Sequence, residues 1–250
     1  MEANNSMVSE MAQAGVIFGH KKSKTHPRMK QFIGANRNEI ELLDPTATYS
    51  SLNAAIEFLK EVVGKGGIIL FAGTTSPAQS VVEQFARGFS YPYVTHRWLG
   101  GTLTNFSVIS NRMKQYEEMR GKRADELAKY TKKERLELSK AVSAASRSFD
   151  GLLPLTRLPN ALFVVDPEVH MTAVREARKL GIPVVAIMDT NDDPNTIEYP
   201  IFANDRGRES IEWVFGKIKG EIKNLPALQA DSVGVSTKHD AEADSHKFIN

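Results

Sequence analysis

The chain has 250 residues, no cysteine and a formal net charge of +2. The missing cysteine excludes disulfides, thiolate metal sites and a cysteine nucleophile, and it suits a reducing compartment. The polar N-terminus carries Glu2 and Glu10, unlike a signal or transit peptide, and no apolar run is long enough to span a bilayer. We therefore expect a cytoplasmic protein with one α/β core, some additions and a disordered polar tail at 226–250.

Residues 1–40 are predicted to form an N-terminal arm that carries a basic loop. Its first ten residues are expected to be flexible, and the glycines and the proline that follow argue against a regular helix, which predicts a loop or irregular arm. Every charged residue between Gly15 and Arg37 is basic, namely Lys21, Lys22, Lys24, Arg28, Lys30 and Arg37. Cations neutralise phosphates and the interleaved aromatic side chains suit bases, so the arm is predicted to bind RNA. The alternative is a solvated basic loop.

Residues 41–106 and 150–225 are predicted to form an α/β core, because short apolar runs alternate there with helical patterns. Continuous apolar runs are typical of parallel strands that are covered on both faces. The expected strands cover residues 68–72, 91–95, 161–165, 184–187 and 199–205. The residues predicted to cap helices, each directly before a proline, are Asp44, Ser76 and Asp166.

The loops after these strands are where an enzyme of this architecture would bind its substrate. The turn from Gly73 to Pro77 lacks both the glycine spacing of dinucleotide sites and the Gly-Lys-Ser/Thr ending of phosphate loops, which predicts a structural turn. The acidic loop 189–194 is the most plausible hard-cation site, yet Asp, Asn and Pro are also ordinary turn residues. We predict no cofactor, no metal, no small-molecule substrate and no enzymatic activity. The alternative is an α/β enzyme that uses a nucleotide or a metal at these loops.

Residues 107–149 are predicted to form an inserted helical hairpin. Apolar residues recur every three or four positions in two segments, which are separated by Gly121 and by a capping box from Thr131 to Glu134. The two seams consist of Phe106, Ile109, Met113 and Tyr116, and of Leu138, Val142, Ala145 and Phe149. This spacing predicts an antiparallel coiled coil. Its tip is basic, with Arg120, Lys122 and Arg123.

The stretch Arg97-Trp98-Leu99-Gly100-Gly101-Thr102-Leu103-Thr104-Asn105-Phe106 lies between the core and the hairpin. Its paired glycines free the backbone to turn sharply, and Arg97 and Asn105 offer hydrogen-bond donors beside aromatic surface. Such a loop is suited to binding a partner. The alternative is a buried corner in which Thr104 caps the next helix and the apolar side chains of Trp98, Leu99 and Phe106 pack in the core.

Five stretches resemble the family of ribosomal protein two of the small subunit, in its bacterial and organellar form. In chain order they are 14–20, 97–106, 164–167, 180–186, and 189–191 with 193–194. The stretch from Arg97 to Phe106 is highly specific for the family, and the common order of the others supports the resemblance. Two departures stand out. Residues 149–159 replace a glycine-rich, lysine-bearing segment, and Arg206 follows Asp205 where the family usually has an acidic residue.

The resemblance implies a flavodoxin-like parallel sheet flanked by helices, with an inserted antiparallel coiled-coil hairpin that reaches rRNA. It implies a structural component of the small ribosomal subunit that supports assembly and translation. The implied partners are small-subunit rRNA, neighbouring ribosomal proteins and, in many bacteria, ribosomal protein one. Carried over by position, the rRNA-facing candidates are Lys21, Lys22, Lys24, Arg28, Lys30, Arg37, Arg97 and Asn105, with Arg112, Arg120, Lys122 and Arg123 on the hairpin.

Overall fold

A five-stranded parallel sheet forms the centre of the computed structural model, which describes residues 2–122 and 130–223. Its strands are β4 (Ile69–Ala72), β5 (Tyr93–Val94), β6 (Ala161–Val165), β7 (Val184–Met188) and β8 (Tyr199–Phe202). They lie in the order β5-β4-β6-β7-β8. Counted along the chain this order is 2-1-3-4-5, which is the flavodoxin-like order. The predicted α/β fold is confirmed.

Helices cover both faces of this sheet, so successive strand residues enter two separate apolar clusters. In β6, Phe163 and Val165 belong to one cluster and Leu162 and Val164 to the other. The first cluster includes residues of α2 (Pro45–Gly64), α3 (Ser76–Gly88) and α7 (Arg208–Ile222). The second includes residues of α4 (Phe106–Arg120) and α6 (Met171–Lys179). The continuously apolar runs are therefore strands buried on both faces, as predicted.

The helix starts agree with the predicted caps at one position of three. Asp44 accepts a hydrogen bond from the Thr46 amide at 2.9 Å and Pro45 is the first residue of α2, as predicted. The cap of α3 is Thr75 rather than Ser76. Asp166 does not cap α6, which begins only at Met171. Because Asp166 has a φ of 65° and accepts from the Val169 amide, it closes a tight turn ahead of that helix.

The N-terminal 43 residues are more regular than predicted. The segment expected to be flexible forms α1 (Glu2–Gln13), whose Met11 is buried in the first cluster and whose Glu10 pairs with Lys217 of α7. The expected irregular arm forms an antiparallel sheet in the order β1-β3-β2. Its strands are β1 (Phe18–Lys21), β2 (Ile33–Arg37) and β3 (Ile40–Leu43). Tertiary packing accounts for α1 and for the pairing of β1 with β3, since neither is visible in local periodicity. By contrast, β2 and β3 pair as a hairpin through the turn at Asn38 and Glu39.

The helical insertion contains α4 and α5 (Lys132–Phe149), and the predicted capping box of Thr131 and Glu134 is confirmed. The predicted seam of α4 does not face α5 along its length. Ile109 and Met113 pack into the second core cluster instead, while the Tyr116 and Phe149 rings lie 6.0 Å apart. The coiled coil therefore stays a prediction, as do the domain boundaries. Arg123 and the tail 226–250 lie outside the described residues.

No helix within residues 2–122 or 130–223 combines the length and the apolar composition needed to cross a membrane.

Candidate nucleic-acid interface

The basic arm is attached firmly to the loop that follows β7. The amide of His20 donates to the Thr190 hydroxyl at 2.9 Å, and the amide of His26 donates to the Thr190 carbonyl at 2.8 Å. His20 Nδ1 lies 2.8 Å from Asp189 Oδ2, close enough for an ion pair although not in hydrogen-bond geometry. A Cβ on Gly19 would lie 2.5 Å from the Thr190 methyl group, so only glycine allows this approach. The predicted loop is therefore a fixed platform.

The outer face of the three-stranded sheet brings two of the predicted contact residues together. Lys21 and Arg37 each pair directly with Ile40 of β3, from opposite sides, so all three side chains point to one face. Phe18 lies in the neighbouring row of that face, opposite Leu42, and 42% of its surface is exposed. This face therefore presents an aromatic ring and an aliphatic side chain beside two cations.

Five of the six arm cations have no carboxylate within 4.0 Å in the described part of the chain, and all five are exposed. They are Lys21, Lys22, Lys24, Lys30 and Arg37. Arg28 differs from them, because its guanidinium contacts Asp193 Oδ2 at 2.6 Å. That ion pair adds to the attachment of the arm to the acidic loop. Arg28 is consequently a weaker candidate for a phosphate contact than its neighbours.

A single buried carboxylate, Glu176 on α6, organises the stretch from Arg97 to Phe106. One of its oxygens accepts from the indole of Trp98 at 3.1 Å and from the amide of Gly101 at 2.8 Å. The other oxygen accepts from the amides of Leu103 and Thr104 and from the Thr104 hydroxyl. Burial alone would raise the pKa of Glu176, but these hydrogen bonds lower the pKa below its usual value. The ionised carboxylate therefore fixes the conformation of the loop.

The structure confirms the buried-corner interpretation for part of this loop, and partner binding by the rest stays a prediction. Trp98, Leu99 and Phe106 pack partly buried against the second cluster, as the buried-corner alternative expects. Thr104 does not cap α4, because its hydroxyl is bonded to Glu176 and Asn105 is the capping residue. Arg97 and Asn105 are exposed, and the Asn105 side chain makes no capping bond. The two predicted contact residues thus lie exposed at the surface of a loop that Glu176 holds in place.

The candidates on the helical insertion are less uniform. Arg112 is exposed, with no carboxylate within 4.0 Å among the described residues. Arg120 contacts Asp150 at 3.0 Å, next to the Tyr116 hydroxyl that bonds to the same carboxylate. The Lys122 ammonium donates to the Tyr130 hydroxyl at 2.8 Å and lies over its ring. Local partners thus hold Arg120 and Lys122, while Arg112 remains free.

In the crevice at the carboxyl ends of β4 and β6, where flavodoxin-like folds bind cofactors, a histidine side chain occupies a backbone donor of the first loop. His170 is buried, and its Nε2 accepts from the Thr74 amide at 3.2 Å, at the place where a phosphate oxygen would accept. Its Nδ1 lies 2.8 Å from the Asp166 carbonyl. Burial lowers the pKa of His170, which favours this neutral bridging form. The enzyme alternative therefore lacks a nucleotide cradle at this crevice.

Four buried aspartates lie near the carboxyl edge of the sheet, namely Asp166, Asp189, Asp192 and Asp205. Burial, followed by the charge of Asp166, raises the pKa of Asp192 to about 7. Burial also raises the pKa of Asp205 well above its usual value, and both of its carboxyl oxygens are buried without a partner. Within the described residues no three His, Asp or Glu side chains are placed to hold a metal ion together. Burial and mutual repulsion of these carboxylates therefore disfavour their ionised forms.

We expect Asp192→Asn to stabilise the fold above neutral pH. When the pKa of a carboxyl is raised in the folded state, the free energy of unfolding falls as the pH rises from the ordinary pKa to the raised pKa. The fall is about 1.4 kcal/mol per pH unit. Asparagine is neutral throughout and can still accept from the Asp189 amide. Urea unfolding at pH 8 and pH 5 checks this, because the gain over the wild type should be larger at pH 8. Asp193→Asn is the control, since it removes the charge that pairs with Arg28 while asparagine can still accept from the Asn195 amide, so it should not stabilise the fold.

Comparison with known proteins decides the family. The family model described as ribosomal protein S2 matches residues 11–224. A small ribosomal subunit protein uS2 from Corynebacterium urealyticum is 39% identical over 248 residues, which are 95% of this chain and 92% of that protein. The protein of that name from Rhodopirellula baltica is 40% identical, over 87% of this chain and 84% of its own length. The one from Salinispora arenicola is 42% identical, over 81% and 74%.

The chain belongs to the ribosomal protein S2 family. Members of the S2 family are structural components of the small ribosomal subunit, which in bacteria is cytoplasmic. The predicted family, the structural role and the absence of enzymatic activity are therefore confirmed by the family to which the chain belongs. The individual contact residues stay predictions.

The sequence of this S2 family member did not reveal that Glu176 holds the loop from Arg97 to Phe106. Its partners lie 72 to 78 positions away in the sequence, so no local pattern connects them. One signal was available. Glu176 follows the buried Ala173 by three positions and precedes the buried Ala177, so it is a charge on the apolar side of an amphipathic helix. A charge in that position needs partners inside the fold.

Proposed function

We propose that this chain binds small-subunit rRNA through two surfaces. One is the three-stranded sheet of β1, β2 and β3, here called the arm sheet, and the other is the loop from Arg97 to Asn105. The free and exposed cations of the arm are the observation that carries this proposal. Lysines such as Lys60, Lys65 and Lys217 contact glutamates within 4.0 Å, whereas five of the six arm cations have no carboxylate that close in the described part of the chain. Cations held apart from carboxylates on a rigid platform are suited to neutralise phosphates.

The geometry of the platform supports RNA as the partner of that surface. Exposed aromatic rings stack on unpaired bases, and lysine or arginine beside them reaches the phosphates of the same strand. Phe18 with Lys21 and Arg37 provides this combination on one face. Because the arm is fixed to the acidic loop by Thr190 and Arg28, its backbone loses little further entropy when the arm binds.

The helical insertion and the protein partners complete the proposal. The insertion extends as an antiparallel coiled coil whose Arg112, Arg120, Lys122 and Arg123 contact rRNA, with Arg112 the strongest candidate because its charge is free. Neighbouring ribosomal proteins contact the core, including ribosomal protein one in bacteria that use it. Through these contacts the chain supports assembly of the small subunit and translation.

Sedimentation tests this function directly. In a sucrose gradient containing magnesium, the chain in a cell lysate should migrate with small subunits and whole ribosomes. Contacts made by several charge pairs at once should survive a moderate salt wash and weaken in high salt. Antibody detection across the fractions provides the measurement. Recovery of the chain at the top of the gradient alone would contradict the proposal.

A further inference from the structure

A second group of cations lies on α6, outside every site predicted from the sequence. Arg175, Arg178 and Lys179 are exposed, and none has a carboxylate within 4.0 Å in the described ranges 2–122 and 130–223. Positive charge at the end of a helix complements its dipole, which accounts for Arg178 and Lys179 in the last turn. Arg175 lies before that turn. It is three and four positions from the other two, a spacing at which like charges repel.

Glu176 places two of these cations, Arg175 and Lys179, beside the loop that carries Arg97. The loop is bonded to Glu176 through four of its residues, so it lies along the same side of α6. Lys179 is one turn beyond Glu176 on that side, and Arg175 is one turn before Lys179. The exposed loop residues Gly100, Thr104 and Asn105 therefore share this region of the surface with the helix cations.

We propose that α6 and the loop from Arg97 to Asn105 form one continuous surface for the sugar–phosphate backbone of folded RNA. This inference rests on the proposed function, and it adds a binding element that the arm and the hairpin do not contain. Phosphates fit the surface because it presents guanidinium and ammonium groups together with amide donors. The repulsion among the three cations is relieved when an anion lies between them.

The test compares two matched pairs of cationic residues. Arg175→Ala with Lys179→Ala removes two cations four positions apart on α6. Lys219→Ala with Lys223→Ala removes two exposed cations at the same spacing near the end of α7, on the opposite face of the sheet. Affinity of the full chain for purified small-subunit rRNA is measured at several salt concentrations. We expect the first pair to flatten the plot of log affinity against log salt by about 1 to 2 units, and the second to leave it unchanged.

Four further results decide between the inference and its alternatives. The variant Arg175→Lys with Lys179→Arg keeps both charges and should keep the wild-type slope. An unchanged slope for the alanine pair, with normal RNA binding by the wild type, overturns the inference and leaves the proposed function intact. If that pair binds RNA normally but is lost from small subunits, the surface serves a protein and the inference is also wrong. If the wild type itself fails to bind RNA, the proposed function and this inference are both wrong.

Discussion

Replacing Glu176 by alanine is expected to lower the free energy of unfolding by about 3 kcal/mol, the largest effect of any single substitution considered for this chain. The reason is that five donors bond to this carboxylate, from Trp98, Gly101, Leu103 and Thr104. Alanine leaves these donors without a partner, and the buried amide of Leu103 cannot turn to water without moving the loop. The loop should therefore lose its fixed shape as well.

Urea unfolding followed by circular dichroism measures this effect, with Glu168→Ala as the control. Glu168 is exposed and bonds only to the Asn191 amide among its described neighbours, so its loss should cost at most about 0.5 kcal/mol. The pKa of Glu176 is lowered, so its stabilisation is present above the ordinary pKa of glutamate and is lost as pH falls through the lower pKa of the folded state. Equal unfolding midpoints for the Glu176 variant and the wild type would contradict the assigned role.

The parallel sheet could be predicted because burial on both faces leaves a direct mark in the sequence. Residues 161–165 are apolar without interruption, and β6 occupies those positions. The cap at Asp44 was also predictable, since its hydrogen bond to Thr46 spans two residues. In both cases the information that decides the structure lies within one segment of chain.

Helix α1 and the pairing of β1 with β3 could not be predicted, because distant parts of the chain stabilise them. Phe18 pairs with Leu42 across an irregular register, and Thr190 packs so closely against position 19 that only glycine fits there. The helix containing Met11 is weakly amphipathic by itself and depends on burial of that side chain and on the ion pair to Lys217.

The sequence shows which residues of the candidate site are cationic, but it does not show which of them are paired with carboxylates in the fold. Arg28 and Lys30 look alike in the sequence, yet Arg28 is paired with Asp193, which lies 165 positions away. Arg120 and Arg112 differ in the same way, since Arg120 contacts Asp150. Whether a cation is free to bind phosphate depends on the tertiary structure, and the sequence shows only its sign.

The triple variant Lys21→Ala, Lys22→Ala and Lys24→Ala is expected to produce the largest loss of RNA binding. Each lysine that contacts a phosphate contributes about one unit to the slope of log affinity against log salt, so the slope should fall by up to about 3 units. The fold should remain intact, because all three side chains are exposed and have no carboxylate partner among the described residues. Titration of small-subunit rRNA at several salt concentrations provides the measurement.

The matched control is Lys60→Ala, Lys65→Ala and Lys217→Ala, which removes the same total charge from the face of the sheet covered by α2 and α7. These lysines are paired with Glu57, Glu61 and Glu10. If net charge alone drew RNA to the protein, both triple variants would lose affinity and slope to the same extent. Local phosphate contacts at the arm predict a loss confined to the arm variant. If the salt slope of the control variant falls as far as that of the arm variant, RNA binding depends on net charge, and specific phosphate contacts at the arm are contradicted.

The variant Arg28→Ala separates attachment of the arm from contact with RNA. Because its guanidinium pairs with Asp193, its removal should loosen the arm and weaken binding without a full unit of change in the salt slope. Protease cleavage within residues 22–32, compared with the wild type, reports the loosening. A variant that stays resistant to protease but loses a full unit of slope would make Arg28 a phosphate contact, equal to the five cations that are free.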